Sequence, residues 1–507
     1  MELELKRMEL GCYQPVLDTT AYREETLEMI VPATCPDILR IVDTEGRACL
    51  RQREAMDGSV QLAGSVKLTA LYLPDGMEGI WKLEGEVPFQ CVVENANVTS
   101  RCAVVASARV VAAETRAINP RKVLFRVSVA LCVQAYAPGT ADFCVGVEDE
   151  ERWGVQQWLE SCQSSLITCV QEKAFSFSDE LTIPGSKPAV SELLRSRCAV
   201  YCNESKVIGS KLIFKGGITV ELLCRGEDAT LFQTDFDLPF SQIMEVTPPE
   251  EEADCRLEIT LTDWQFQLMG EEGRLINAQL ELCAQAVLRE TRSAQLLTDA
   301  YSIHHPVTCE DQLISLSELV ERGNHRQTVR EVLETGDTAK SVYEARLNVG
   351  QVAVEREGDC WVARAEAQFH VLYCAVEEEY ASVSRQIPVS CQIDLPENCQ
   401  ISCGCVGEDV QASATAGGIE ARFTLNFQVS ALSHGRVRNL CAIHLDEEAQ
   451  DPSAKQPSIV LRRMGKEERL WEIAKCYYTT SEEIIQANDL SGEQAAVGQF
   501  LLIPRKR

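Results

Sequence analysis

Val123-Leu-Phe-Arg-Val-Ser-Val-Ala-Leu-Cys-Val133 sets apolar side chains at 123, 125, 127, 129, 131 and 133. A period of two sustained over that length puts one row of side chains on one face, the pattern of a half-buried antiparallel strand. Ala278, Leu280, Leu282, Ala284 and Ala286 repeat it. Asn119-Pro-Arg-Lys122 and Gly270-Glu-Glu-Gly273 stand before the two runs and read as the turns that feed them. The chain is therefore expected to be mostly β.

The two runs belong to a longer repeat. Val31-Pro32-Ala-Thr-Cys-Pro36-Asp-Ile38 matches Ile183-Pro184-Gly-Ser-Lys-Pro188-Ala-Val190 at an offset of 152, and Gly64-Ser-Val66-Lys-Leu68 matches Gly216-Gly-Ile218-Thr-Val220 at the same offset. Leu131-Cys-Val-Gln-Ala135 matches Leu282-Cys-Ala-Gln-Ala286 at 151. A third copy is carried by Phe369-His-Val-Leu-Tyr-Cys374 against Leu68–Leu73 and by Ile387-Pro388-Val389 against Val87-Pro88-Phe89. It lacks the paired prolines and has Ala365 where Gly64 stood, so its entry is expected to be remodelled. A period near 150 is far longer than a solenoid repeat and implies tandem domains with separate cores. Each copy is read as a β-sandwich or open barrel with one small helix starting at the Pro-x-x-x-Pro segment. The expected division is 1–139, a helical connection at 140–180, 181–302, a second helical connection at 303–335, 336–446, a flexible linker at 447–457 and a terminal module at 458–507. The helical connections rest on Trp153 and Trp158 in the first, and on Leu316, Leu319 and Val320 at helical spacing in the second.

The 507 residues carry a net charge of −29, with 45% apolar and 25% charged residues. Such a body repels nucleic acid and anionic lipid, so neither is an expected partner. The N-terminal Met1-Glu-Leu-Glu-Leu-Lys has no apolar h-region and no run is long enough to span a membrane, so a cytosolic protein is expected. Of 23 cysteines, Cys391, Cys399, Cys403 and Cys405 crowd into one short stretch. Their spacing is unlike common zinc sites and no His lies near, so they read as strand-packed free thiols, with zinc as the alternative. No phosphate loop, Gly-x-Ser-x-Gly elbow or His-Glu-x-x-His is present, and the six histidines offer only the adjacent His304-His305. No catalytic residue, cofactor or metal is assigned, and an enzyme is not expected.

The C-terminal stretch follows another pattern. Ser458-Ile-Val-Leu461 reads as a strand, and Leu470, Ile473, Ala474 and Tyr477 as one face of a helix. Ser481 is placed as the N-cap of a second helix that turns Ile484, Ile485 and Leu490 inward. Phe500-Leu-Leu-Ile503 closes the unit as a strand and Pro504 ends it. This βααβ order, with the Leu470-Trp471 pair, resembles a LysM module, a binding device usually for N-acetylglucosamine glycans and sometimes for a protein. The family's Gly-Asp-Thr before that pair is replaced by Glu467, Glu468 and Arg469. A charged, bulky loop without glycine disfavours close approach of a sugar ring and favours a protein partner.

Tandem β-rich repeats ending in one such module resemble the SipL-like spore-coat morphogenetic proteins, with three SPOCS repeats and a LysM module. The resemblance implies a non-enzymatic scaffold in the mother-cell cytosol, at the forespore surface and in the spore coat. Its LysM module would dock on the coat's basement-layer morphogenetic ATPase, with other coat proteins as further partners. The implied partner-binding residues are Glu467, Glu468, Arg469, Leu470, Trp471, Asn488, Asp489, Leu490 and Ser491. The alternative is a peptidoglycan- or chitin-type glycan-binding protein acting through the same module.

Overall fold

The computed structural model describes residues 1–336, 338–376, 379–446, 459–466, 468–492 and 495–504. The expected linker 447–457, Ser458 and Glu467 lie outside the described residues. The rest is mostly antiparallel β.

Six strands form the first unit: β1 (Leu5–Ile30), β2 (Ile38–Met56), β3 (Ser59–Pro74), β4 (Trp81–Glu94), β5 (Ala103–Asn119) and β6 (Lys122–Val147). They make the three-stranded sheet β2–β3–β4 and the β1–β6–β5 half of a six-stranded sheet that continues into the second unit, which together enclose Phe89, Phe125 and Leu131. After the single turn α1 (Glu150–Trp153), the order recurs in β7 (Val155–Thr182), β8 (Val190–Ile208), β9 (Lys211–Gly226), β10 (Leu231–Glu245), β11 (Ala253–Met269) and β12 (Leu275–Ser302). It recurs again in β13 (Val307–Leu333), β14 (Ala339–Val349), β15 (Ala353–Glu357), β16 (Cys360–Ala375), β17 (Tyr380–Ile393), β18 (Cys399–Thr415) and β19 (Gly418–Leu445). Each unit has its own core, centred on Phe214 and Phe240 in the second and on stacked Phe369 and Phe423 in the third.

The predicted turns 119–122 and 270–273 join β5 to β6 and β11 to β12. The two predicted helical connections are instead strand. Residues 140–180 hold the end of β6, α1 and most of β7, and 303–335 hold β13. Trp158 lies in β7, while Leu316, Leu319 and Val320 lie in β13. β7 pairs with β12 and β13 with β19 along nearly their whole lengths, and this tertiary pairing overrides a three-residue helical spacing. The units therefore start at β1, β7 and β13, earlier than the expected 181 and 336.

The Pro-x-x-x-Pro segments are turns, not helix starts. Cys35 N–H bonds the Pro32 carbonyl and Lys187 N–H that of Pro184, and β2 and β8 follow at once. Arg121 donates to the carbonyls of Val31, Pro32 and Cys35, and Arg274 to those of Pro184 and Lys187, filling acceptors that a turn leaves open. The landmark glycines are explained by bulges. Gly64 sits opposite Leu50 and Gly216 opposite Cys202, each where the facing strand is bulged, and a Cβ there would overlap the carbonyl of Cys49 or Tyr201. In the third unit Ala365 carries that Cβ, and the facing strand is split between β14 and β15.

The units close on one another. Leu3 N–H bonds Ile443 O at 2.9 Å and the Met1 ammonium bonds Leu445 O at 2.8 Å, so the N-terminus pairs with the last strand of the third unit. Between units one and two, Tyr13 pairs with Ile167. Where β2, β8 and β14 meet, corresponding bulges place Asp43, Arg195 and Glu344 together, with Glu45, Arg197 and Arg346 two residues further on. Arg346 donates to both oxygens of Asp43 at 2.5 and 2.7 Å, and Arg195 bonds Asp43 at 2.8 Å and Glu344 at 2.6 Å. Asp43, Arg195, Glu344 and Arg346 are buried, and Glu45 and Arg197 are partly so. Burial alone would raise the Asp43 and Glu45 carboxyls, but the guanidiniums outweigh it; Asp43 falls well below the usual range and Glu45 is held at about 2. Beside this ionic knot, Val42, Leu194 and Leu71, Leu223, Leu372 form an apolar cap drawn from all three units with Tyr343.

Candidate protein-docking site

The C-terminal module is β20 (Ile459–Arg463), α2 (Leu470–Tyr477), α3 (Ser481–Ala487) and β21 (Phe500–Pro504), the strands pairing antiparallel. Leu470, Ile473, Ala474, Ile484, Leu501 and Ile503 fill its core, with Tyr477, Ile485 and Leu490 partly buried against them. Thr480, not Ser481, caps α3: its side chain accepts from Glu483 N–H at 3.1 Å, and Ser481 is the first helical residue.

The expected partner-binding residues divide into two groups. Glu468 accepts from Gly465 N–H at 2.9 Å and from Arg462 at 2.7 Å, which lowers its pKa and closes the loop on itself. Leu470 is core. Asn488 donates to the Ile484 and Leu502 carbonyls and accepts from Leu502 N–H, stapling α3 to β21. Trp471, 7% exposed, is turned to the second unit: its ring lies 5.3 Å from Trp158 and 4.9 Å from Tyr301, and its indole N–H bonds Asp299 at 2.8 Å. Arg469, Asp489 and Ser491 remain exposed, Arg469 with its guanidinium 5.5 Å from the Trp158 ring.

The most open apolar surface on the module was not read from the sequence. Ile459, Leu461 and Phe500 are 64%, 65% and 63% exposed, and Val497, just before β21 in the chain, is 69% exposed. Leu461 faces Leu502 across the ladder, and Phe500 faces Arg463. The signal was there: Ile459-Val-Leu461 and Phe500-Leu-Leu-Ile503 are unbroken apolar runs, and a strand sends alternate residues to opposite faces. Only one face can meet α2 and α3, so the other is left in solvent. Clustered exposed apolar side chains of this size mark interaction surfaces.

Elsewhere, a cleft of about 520 Å³ between units one and two is lined by Arg47, Lys67, Lys82, Glu84, Glu86 and Trp264 among others. Its charges are spent on one another: Lys67 on Asp263, Lys82 on Glu84, and Glu86 on Arg51. Cys391, Cys403 and Cys405 pack against the third core with buried Cys399. Burial pushes Cys403 up to about 11 and Cys405 to about 12, which disfavours the thiolate that a metal needs. No helix among the described residues is long and apolar enough to cross a membrane.

Residues 37–118 match the family model described as SipL, SPOCS domain. That span covers β2, β3, β4 and most of β5. The match supports a SipL-like protein with a sporulation-related role. None of the curated proteins matches the chain.

Proposed function

We propose that this chain is a non-enzymatic scaffold of spore-coat assembly, built from three SPOCS-type units and a LysM-type module that docks on the coat's basement-layer morphogenetic ATPase. The observation that carries the docking reading is the outward apolar face of β20 and β21, Ile459, Leu461 and Phe500, on a module whose Leu470, Ile473, Ile484, Leu501 and Ile503 are packed inward. Three large apolar side chains supply the anchor that a protein interface needs, and exposed Arg463, opposite Phe500 on the same face, supplies a polar edge. The glycan alternative is opposed by the Glu468 carboxylate, which takes up the Gly465 N–H and adds a charged side chain to the loop before Leu470. The SPOCS match and the repeated topology support the scaffold reading of the body. On this reading the protein works in the mother-cell cytosol at the forespore surface, with other coat proteins as further partners.

The test is localisation of a fluorescent fusion in sporulating cells. The full chain is expected to ring the forespore, and the Leu461→Asp variant to remain diffuse at equal abundance. A ring formed equally well by Leu461→Asp would remove this face from the docking surface.

A further inference from the structure

The second unit offers the module a platform that its sister units lack. Beside the bulge that faces the start of each unit's first strand, the cross-strand pair is Lys6–Gly146 in unit one, Trp158–Asp299 in unit two and Glu310–Ala442 in unit three. The backbone geometry is shared, so side chains alone make unit two different. Its Trp158 and Tyr301 flank Trp471, and Asp299 accepts both the Trp471 indole N–H at 2.8 Å and the Lys475 ammonium at 2.6 Å. Tyr301 Oη donates to the Thr479 carbonyl at 2.8 Å, and Tyr301 and Ile303 lie in the same apolar cluster as the core of the module. Aromatic packing with a charge-assisted hydrogen bond at its centre is the make-up of an anchored contact.

We propose that the second unit is a dedicated receptor for the chain's own C-terminal module, with Trp471 as the latch. The α2 side of the module is spent on this clasp, so the β20–β21 face is left outward at a fixed orientation. Trp471 then belongs to the clasp and not to the partner contact. The clasp involves this chain alone and stands whether or not the outward face binds the ATPase.

The test needs no partner. The full chain labelled with 5-fluorotryptophan gives one fluorine resonance for each of its six tryptophans. Trp158→Phe is expected to move the Trp471 resonance, and Trp471→Phe the Trp158 resonance, while Trp81, Trp153, Trp264 and Trp361 report an intact fold. Asp299→Asn leaves both rings in place but weakens the acceptor. It is expected to raise the undocked fraction about tenfold and to shift both resonances toward the solvent-exposed position. If neither ring responds to loss of the other and Asp299→Asn moves neither signal, the clasp does not exist in solution.

Discussion

Arg346→Met strikes the point where all three units meet. Arg346 is buried and holds both oxygens of Asp43, at 2.5 and 2.7 Å. Methionine keeps much of the length and removes the charge, so Asp43 loses one of its two guanidiniums and keeps Arg195 at 2.8 Å. Breaking a buried pair by removing one partner costs about 3–5 kcal/mol. The retained Arg195 places this case near the lower end, about 3 kcal/mol. At roughly 2–4 °C per kcal/mol for units of this size, the melting midpoint should fall by about 6–12 °C in differential scanning calorimetry. Arg126→Met is the control: its ion pair with Glu24 is 60% and 62% exposed, so water screens it and its loss should leave the midpoint almost unchanged. Adding Asp43→Leu to Arg346→Met should restore part of the loss, because the stranded carboxylate is then gone. If Arg346→Met melts within a degree of the Arg126→Met control, the knot does not hold the units together.

Acid should weaken the same junction in two steps. Burial, and then the charge of Arg346, lowers His370 to about 4, so its contribution is whole above about 6.5 and is lost as pH falls toward 4. Glu45, held at about 2, contributes fully above about 4.5 and is lost between there and 2. His370→Gln should abolish the upper step of a denaturation-against-pH profile and leave the lower one. Gly216→Ala should destabilise the second unit by roughly 1–3 kcal/mol in urea titration, because the new Cβ meets the Tyr201 carbonyl at the bulge; an unchanged midpoint would mean the bulge is free to relax.

Strand alternation was legible wherever one face is buried and the other wet, as along Val123–Val133, and so were the turns before those strands. The recurrence of Gly64 as Gly216 was legible as a landmark, but its cause, a bulge pressed against a neighbouring strand, needs the partner strand to be seen. The helical connections were misread because Leu316, Leu319 and Val320 fit a helix locally, while a pairing over a hundred residues away decides their state. The ionic knot was invisible for the same reason: Asp43, Arg195 and Glu344 are about 150 residues apart and gain meaning only when the units close. In the module, the core and Leu470 were readable from period alone. Trp471 was assigned to a partner because its platform, Trp158 and Asp299, lies on another unit, and the outward face went unread although the unbroken apolar runs implied it.

The most direct measurement of the docking claim is the affinity of the full chain for the purified basement-layer ATPase, by biolayer interferometry, beside Leu461→Asp. Leu461 is 65% exposed, so the change leaves the core untouched while placing a charge in the middle of the apolar face. Saturable binding by the unmodified chain and a loss of about 2 kcal/mol or more, roughly thirtyfold, for Leu461→Asp is the predicted result. Equal affinity of the two proteins, or no binding by either, would contradict it.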